Sequence, residues 1–232
     1  MSSDGLRGVP VFCSWSGGKD SALALQEAVR VGAEPRFLVS MMIETGDRSR
    51  SHGLRRELIA AQADALGLPV RFGAASWNDY EGELRRSIAA GVIEHRVGAG
   101  VFGDIDIERH REWVERVALE AGTRAVLPLW HRDRRQLMDD LLAAGFKAVV
   151  VAVRDGVLSP DLLGQTIDAG LVEEIAAAGA DAAGENGEYH SVVVDGPGFR
   201  HGLDLRIGER SLRDGVWFID LEPSGQAAAA RA

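Results

Sequence analysis

Apolar runs and amphipathic segments alternate along the first 130 residues of the chain. The short apolar runs have no helical period, which is typical of strands that are buried on both faces. Between these runs, apolar residues recur at every third or fourth position and predict amphipathic helices. The predicted strands are 9–15, 36–43, 70–72, 98–104 and 123–130, and the predicted helices are 20–31, 52–66, 77–92 and 107–121.

This alternation predicts an α/β fold with a five-stranded, parallel, doubly wound sheet. Right-handed crossovers place helices on both faces of such a sheet. Its ligands bind beyond the carboxyl ends of the strands, where the strand order reverses. The turn after the first strand lies on that edge, and so do the ends of the second and fourth strands. We therefore expect Glu44, His52 and Asp104 close to the turn that follows the first strand.

After residue 130 the pattern changes to shorter elements joined by turns, which predicts a smaller α+β domain. We expect helices at 134–144, 160–168 and 171–178, and strands at 146–153, 192–195, 203–207 and 216–221. The predicted domains are therefore 9–130 and 131–221. Residues 1–8 are predicted to form a loose tail, and residues 222–232, rich in Ala, a disordered one.

Composition and charge narrow the class of protein. Hydrophobic residues make up 46% of the chain, which is ample for a core, and the net charge of −9 argues against a broad nucleic-acid surface. The single cysteine excludes an internal disulfide framework and a Cys-x-x-Cys pair. No apolar run reaches the roughly 20 residues of a membrane-spanning helix, and the first residues do not resemble a signal peptide. A soluble cytoplasmic protein is expected.

A glycine turn joins the first predicted strand to the first predicted helix. Two adjacent glycines allow close backbone approach to a ligand, and the start of a helix, capped here by Asp20 or Ser21, presents free N–H groups. With the Lys19 ammonium and nearby hydroxyls, these groups predict an anion site, most simply for phosphate. The binding candidates are Ser14, Ser16, Gly17, Gly18, Lys19, Asp20 and Ser21, with Glu44, His52 and Gly103 on the same edge.

The turn is not a Walker loop, because Cys13 and Asp20 occupy positions where that motif needs Gly and Ser or Thr. The remaining segment, Ser-Gly-Gly-Lys-Asp-Ser at 16–21, resembles the pyrophosphate loop (PP-loop) of the ATP pyrophosphatase superfamily. Members of that superfamily cleave ATP between the α and β phosphates and adenylate a substrate. The alternative is an ordinary strand-to-helix turn.

A second polar segment, Gly-Glu-Asn-Gly-Glu-Tyr-His-Ser at 184–191, holds two carboxylates, an imidazole and a hydroxyl within eight residues. If the segment is extended, Glu188 and His190 point to the same side, since side chains alternate along a strand. Two carboxylates beside a polyphosphate suit a hydrated Mg²⁺, or Glu and His act as acid and base. The alternative is a solvated glycine loop.

Several motifs occur here in one order: the 16–21 loop, Ser-His-Gly at 51–53, Phe-Gly-Asp-Ile at 102–105, Pro-Leu-Trp at 128–130 and the 184–191 segment. In this combination the chain resembles the diphthine–ammonia ligase family over about residues 9–220. That family consists of ATP pyrophosphatases that form the amide of diphthamide on translation elongation factor 2 in archaea and eukaryotes. The resemblance implies an adenine nucleotide α-hydrolase-like sheet as the ATP-binding domain and a substrate-binding second domain.

The resemblance also implies a reaction. A substrate carboxylate attacks the α phosphate of ATP, pyrophosphate leaves, and ammonia then displaces AMP to give an amide. Lys19 and Mg²⁺ would stabilise the leaving pyrophosphate. The remaining implied site residues would position the metal, the acyl group or the amine; they are Asp104, Glu185, Glu188 and His190, with Asp104 and Glu188 as metal ligands.

Alternatives remain for single residues and for the whole chain. Asp104 could cap the following helix, and His52 could be a solvent-facing residue at a helix start. The acceptor is protein-borne diphthine in an archaeon or eukaryote and an unknown small acid in a bacterium. A tRNA-modifying enzyme and a nucleotide sensor without turnover are the competing functions. A homodimer is also expected.

Overall fold

The computed structural model describes residues 5–224, which form two β-sheets with their helices. The first part consists of β1 (Pro10–Ser14), α1 (Lys19–Arg30), β2 (Glu34–Met42), α2 (Arg56–Leu66), β3 (Val70–Ala74), α3 (Tyr80–His95), β4 (Ala99–Val101), α4 (Glu108–Glu120) and β5 (Arg124–Val126). The second consists of α5 (Arg134–Ala143), β6 (Lys147–Arg154), a 3₁₀ turn (Pro160–Leu162), α6 (Ala169–Ala177), β7 (Tyr189–Asp195), β8 (Leu205–Arg213) and β9 (Val216–Pro223). No helix within 5–224 is both long and apolar enough to cross a membrane.

The first sheet is parallel throughout and has the strand order β3-β2-β1-β4-β5. The predicted doubly wound α/β sheet is therefore confirmed. The chain builds outward from β1 in one direction through β2 and β3, and then in the other through β4 and β5. The order reverses beside β1, so the carboxyl ends of β1 and β4 border the crevice where such sheets bind ligands.

The second sheet is antiparallel and has the order β7-β6-β9-β8. Together with α5 and α6 it confirms the predicted α+β half. Strand β7 begins at Tyr189, three residues earlier than predicted. His190 and Ser191 therefore belong to this strand and not to a preceding loop.

Two hydrophobic clusters hold the layers together. One lies on the face of the parallel sheet that carries α3 and α4. The other contains apolar residues of α1 and α2 and continues into the second sheet, α5 and α6. The boundary near residue 130 stays a prediction, which the change of sheet between β5 and β6 supports.

Some residues that were predicted to lie in the two tails belong to the fold. Leu6 is fully buried and the Gly8 N–H donates to the carbonyl of Gly32 at 2.8 Å, so residues 5–8 pack against the sheet domain. At the other end, β9 continues to Pro223. Residues 1–4 and 225–232 lie outside the described residues.

Two helices begin at residues other than those predicted. Helix α1 begins at Lys19 with Gly18 as its N-cap, and neither Asp20 nor Ser21 caps it. Helix α2 begins at Arg56 rather than at residue 52. Two isolated antiparallel bridges, of Arg48 to Arg55 and of Ser49 to Met42, hold the chain before α2 in an irregular loop. His52 therefore lies in a turn.

Strand β4 ends at Val101, three residues before its predicted end at Asp104. The chain turns there because it passes directly over the start of α1. A Cβ at Gly103 would lie 2.9 Å from the carbonyl carbon of Asp20 and 3.0 Å from the backbone nitrogen of Ser21. Only glycine fits this crossing without movement of backbone, and the crossing brings Asp104 to the first turn of α1.

A partly buried carboxylate, Asp220, fastens the loop before α2 to β9. Asp220 accepts hydrogen bonds from Arg48 at 3.0 Å and from Arg55 Nε at 3.0 Å, and Arg48 also donates to the carbonyl of Gly53 at 2.9 Å. The hydrogen bonds from Arg55, and then those from Arg48, lower the pKa of Asp220 to about 2 in spite of its partial burial. These bonds tie the loop that carries His52 to the second sheet.

We expect Asp220→Asn to lower the free energy of unfolding by about 1–2 kcal/mol at pH 7. A carboxyl whose pKa is depressed in the folded state stabilises it above the unfolded pKa, and that contribution disappears as the pH falls through the folded pKa. The difference between wild type and variant should therefore shrink between pH 4 and pH 2, as followed by urea unfolding. Asp214→Asn, in the exposed turn between β8 and β9, is the control. Equal stability of Asp220→Asn and wild type at pH 7 would contradict the assignment.

Candidate active site

A cleft of about 280 Å³ opens beyond the carboxyl ends of β1 and β4 and is closed on its far side by the start of β7. It brings together the glycine turn and the late polar segment, which are more than 160 residues apart in the chain. The cleft is lined by Ser14, Ser16, Lys19, Asp20, Ser21, Ser51, His52, Gly103, Asp104, His110, Gly184, Glu185, Gly187, Tyr189, His190 and Ser191.

The glycine turn is held by its own serines. Ser16 Oγ accepts a hydrogen bond from the Gly18 N–H at 3.2 Å and lies 3.2 Å from Ser21 Oγ, which donates to the Gly18 carbonyl at 2.9 Å. The N–H groups of Asp20 and Ser21 donate to no residue between 5 and 224. Free N–H groups at the start of a helix favour an anion, so the predicted phosphate site has the geometry it needs.

Both glycines of the turn are required by close packing. Gly17 has φ +84°, and a Cβ there would lie 2.7 Å from Gln62 Oε1. A Cβ at Gly18 would lie 2.6 Å from His52 Nε2 and 3.0 Å from the Ser191 carbonyl oxygen. Neither Gly17 nor Gly18 lines the cleft, so their role is to let the turn, His52 and β7 come together.

Lys19 lies at the bottom of the cleft with only 5% of its surface exposed. Its ammonium contacts the Asp20 carboxylate at 2.8 Å and lies 5.3 Å from the centre of the Tyr189 ring. Burial disfavours the charged form, but Asp20, Tyr189 and Glu185 together hold the pKa of Lys19 above its usual value. Lys19 therefore keeps its positive charge at neutral pH.

Gln62 connects the turn to β7, and the sequence analysis missed it. It is fully buried, accepts a hydrogen bond from Trp15 Nε1 at 2.9 Å, and donates to the carbonyls of Gly17 at 2.9 Å and Val193 at 2.7 Å. The Val193 N–H in turn donates to the Gly17 carbonyl at 2.9 Å. The signal in the sequence is an amide four residues after Leu58, on the apolar face of α2.

Two histidines contact each other above the glycine turn, with their ring planes tilted by 43°. The ring centres of His52 and His190 are 4.6 Å apart. Burial, then the nearby His190 and Lys19, put the pKa of His52 well below its usual value. Burial, then Lys19, lowers the pKa of His190 to about 4. Both imidazoles are therefore neutral at pH 7, and the alternative of a solvent-facing His52 at a helix start is wrong.

Three carboxylates line the same cleft as the histidines: Asp20, Asp104 and Glu185. Burial raises the pKa of Asp104. Burial and the charges of Asp20 and Asp104 raise the pKa of Glu185 to about 7. Negative charge that is held partly out of water suits a divalent cation. Within residues 5–224 no three His, Cys, Asp or Glu side chains are close enough to hold a metal by themselves, so Mg²⁺ here would take further ligands from water or phosphate.

Glu188 does not face the cleft, which corrects its prediction as a metal ligand. It is 7% exposed, and its oxygens accept hydrogen bonds from the Asp181 N–H at 3.2 Å, the Asn186 N–H at 3.1 Å and the Asn186 amide at 3.1 Å. Although burial opposes it, these bonds hold the pKa of Glu188 below its usual value. Its carboxylate shapes the 184–188 loop and so positions Glu185.

Glu44 also lies apart from the cleft, in an exposed turn after β2. Asp104 does line it, and its alternative as a helix cap is wrong, since α4 begins after Ile107 without a side-chain cap. The structure adds His110, whose Nδ1 lies 3.6 Å from Asp104 Oδ1. Helical spacing alone gives no sign that α4 begins beside the cleft.

The chain matches a known family in both halves. Residues 10–125 match the diphthamide synthase N-terminal domain, and residues 133–223 match the diphthamide synthase C-terminal domain. It is 31% identical over 209 residues to the diphthine–ammonia ligase of Mus musculus, with 80% of this chain and 78% of the mouse protein covered. It is 27% identical over 212 residues to that of Schizosaccharomyces pombe, with 82% of this chain but only 35% of that protein covered.

Among solved structures, a predicted subunit of tRNA methyltransferase from Methanocaldococcus jannaschii is similar with a TM-score of 0.41 and 15% identity, covering 80% of this chain and 96% of that one. That likeness is too low to assign a function. The family matches, in contrast, extend over most of the chain and include both segments that line the cleft. The chain belongs to the diphthamide synthase family.

Proposed function

We propose that this protein is an ATP-dependent ligase that adenylates a carboxylate, releases pyrophosphate and transfers the acyl group from AMP to ammonia. The observation that carries this proposal is the meeting of two motifs in one cleft. The glycine turn supplies a phosphate site, and β7 with the loop before it supplies an imidazole and a carboxylate to the same cleft. A site that only binds nucleotide would not need the imidazole and the carboxylate from β7 and its preceding loop.

ATP would place its phosphates on the 16–21 turn, against the free N–H groups of Asp20 and Ser21 and the serine hydroxyls. An oxygen of the acceptor carboxylate attacks the α phosphorus, and the bond from that phosphorus to the bridging oxygen breaks as pyrophosphate leaves. The negative charge that develops on pyrophosphate lies near Lys19, which is buried and charged before the reaction begins. Preorganised charge of this kind is usually the largest catalytic contribution.

Magnesium belongs to the proposal as well. Asp20, Asp104 and Glu185 are the residues that would hold Mg²⁺, which would supply further positive charge to the pyrophosphate.

The neutral histidines suit the second half-reaction. Ammonia attacks the acyl carbon, the bond from that carbon to the AMP oxygen breaks, and the attacking nitrogen must lose a proton. A neutral imidazole accepts a proton, whereas a charged one does not. His190 is neutral and lines the cleft, so we assign this role to His190, with the His52 ring in contact with it.

The relatives are named diphthine–ammonia ligase, and we propose a protein that carries diphthine as the acceptor. A small carboxylic acid is the alternative acceptor. The homodimer stays a prediction, which a sedimentation measurement would test.

The products of ATP cleavage test the proposed function. Incubation of the protein with ATP, Mg²⁺, an ammonium salt and diphthine-bearing elongation factor 2 should yield AMP and pyrophosphate in equal amounts, with one amide formed per AMP. Release of ADP would refute the adenylation, and ATP binding without any AMP would indicate a sensor instead of an enzyme. Omission of ammonia should stop amide formation while pyrophosphate exchange into ATP continues.

A further inference from the structure

The second sheet extends the wall of the cleft outward on one face. In antiparallel pairs, residues directly opposite each other point to the same face. His190 lies opposite Ala152, and Ala152 lies opposite Phe218. One step further along the same face, Arg154 lies opposite Val216, and Val216 lies opposite Arg213. The face that presents His190 to the cleft therefore presents two arginines just beyond it.

Phe218 forms the floor between the arginines and the cleft. A Cβ at Gly53 would lie 3.0 Å from the Phe218 ring, so the ring lies directly against the backbone that follows His52. The guanidinium of Arg213 lies 5.0 Å from the centre of the same ring. His52 lines the cleft on this side, and Phe218 and Arg213 extend the same wall outward.

Arg154 stands on the other side of the opening. Its guanidinium donates a hydrogen bond to the Asn186 carbonyl and lies 2.9 Å from the Cβ position of Gly187, which lines the cleft. Arg154 and Arg213 are separated by two strand spacings, or about 10 Å between their Cα atoms. The two side chains thus flank the opening, one over the 184–188 loop and one over the loop of His52.

These two arginines lack the carboxylate partners that their neighbours have. Within residues 5–224, neither Arg154 nor Arg213 has a carboxylate within 4.0 Å, whereas Arg206 and Arg210 on the same strand, β8, pair with Glu222 and Asp161. Both are exposed, in a chain whose net charge is −9. The two guanidiniums therefore make this rim locally positive in a chain whose net charge is negative, and the rim attracts an anion.

We propose that Arg154, Arg213 and Phe218 form the binding surface for the acceptor protein, with the two guanidiniums contacting carboxylates that surround its reacting residue and the Phe218 ring contacting an apolar side chain. Guanidinium is suited to a carboxylate because its fork of donors matches the two oxygens. The inference rests on the proposed function and adds to it the side from which the acceptor enters. The nucleotide approaches from the parallel sheet, and the acceptor from the second sheet.

The test is a steady-state comparison of Arg154→Gln/Arg213→Gln with wild type, using diphthine-bearing elongation factor 2 and ATP as the varied substrates. We expect the KM for the acceptor to rise about 10- to 100-fold, because the variant loses one or two charge-assisted hydrogen bonds to the acceptor. The KM for ATP and the kcat should change less than twofold. Arg154→Lys/Arg213→Lys, which keeps the charges, should recover part of the loss.

Arg206→Gln/Arg210→Gln is the matched control, because it removes two arginines from β8 that are already paired. It should leave both KM values unchanged. A rise in the KM for ATP in Arg154→Gln/Arg213→Gln would overturn the inference in favour of phosphate contacts, and unchanged kinetics would overturn it outright. Inhibition by bulk tRNA that the same variant relieves would overturn it in favour of RNA.

Acceptor binding measured without turnover separates this inference from the proposed function. If wild type binds the acceptor but forms no AMP, the proposed function fails. If wild type forms AMP and the variant binds the acceptor as tightly as wild type, the function stands and the inference fails.

Discussion

Lys19→Met is expected to reduce the rate of AMP formation by about 10²–10³-fold, the usual cost of removing one preorganised charge or donor at a developing anion. Methionine has a similar length and no charge, so the change removes the ammonium while filling most of its space. The effect should be large because Lys19 is buried and its charge is held by Asp20 at 2.8 Å. Water cannot readily replace it.

The measurement is pyrophosphate release at saturating ATP, with ATP affinity followed separately by equilibrium binding. Lys147→Met is a closely matched control, since these two are the only lysines in the chain and Lys147 pairs with Asp195 on the exposed surface. It should leave the rate within twofold of wild type. A Lys19→Met protein that is folded and turns over at the wild-type rate would show that the glycine turn does not hold the reacting phosphates.

Gln62→Leu is expected to lower the free energy of unfolding by about 2–6 kcal/mol. Leucine suits the apolar face of α2, but it leaves the Trp15 indole N–H and the Val193 carbonyl buried without their partner. Each unsatisfied buried group costs about 1–3 kcal/mol. The Gly17 carbonyl loses one bond but retains the Val193 N–H.

Chemical denaturation of the variant and wild type gives this difference directly. Gln136→Leu is the control, because that amide is exposed and bonded to Asp140 at 3.0 Å on the surface of α5. Its effect should stay within about 0.5 kcal/mol. Gln62→Leu should also weaken ATP binding, since the amide positions the Gly17 carbonyl. Equal losses in the two variants would mean that Gln62 does not join the turn to β7.

The sequence predicted most residues of the candidate site but not how their side chains are arranged. Lys19, Asp20, Asp104, Glu185 and His190 all line the cleft, as their motifs and their positions after strands indicated. The glycine turn could be recognised because the groups that make a phosphate site there are close in sequence.

Glu188 and His52 could not be placed by the same reasoning. Glu188 has the chemistry of a ligand, but the N–H groups of Asp181 and Asn186 compete for its oxygens and turn it inward. The helical spacing after His52 predicted a helix start, whereas bridges to β2 and the Asp220 carboxylate hold that segment in a loop. The position of Glu188 depends on the conformation of its own loop, and the position of His52 depends on partners that are distant in sequence.

The sequence by itself determined the order and type of most elements, the parallel α/β half, the α+β half and the two motifs of this protein. The helix predicted at 160–168 is the exception, since the structure has only a 3₁₀ turn at Pro160–Leu162. The sequence could do so because hydrophobic periodicity and turn chemistry are local properties of the chain. Only the tertiary structure decided which polar groups meet: Gln62 with Gly17 and Val193, His52 with His190, and the two arginines beside the opening, which have no carboxylate partner among residues 5–224. The physical reason is that hydrogen bonds, desolvation and unpaired charge depend on neighbours that folding brings from far along the chain.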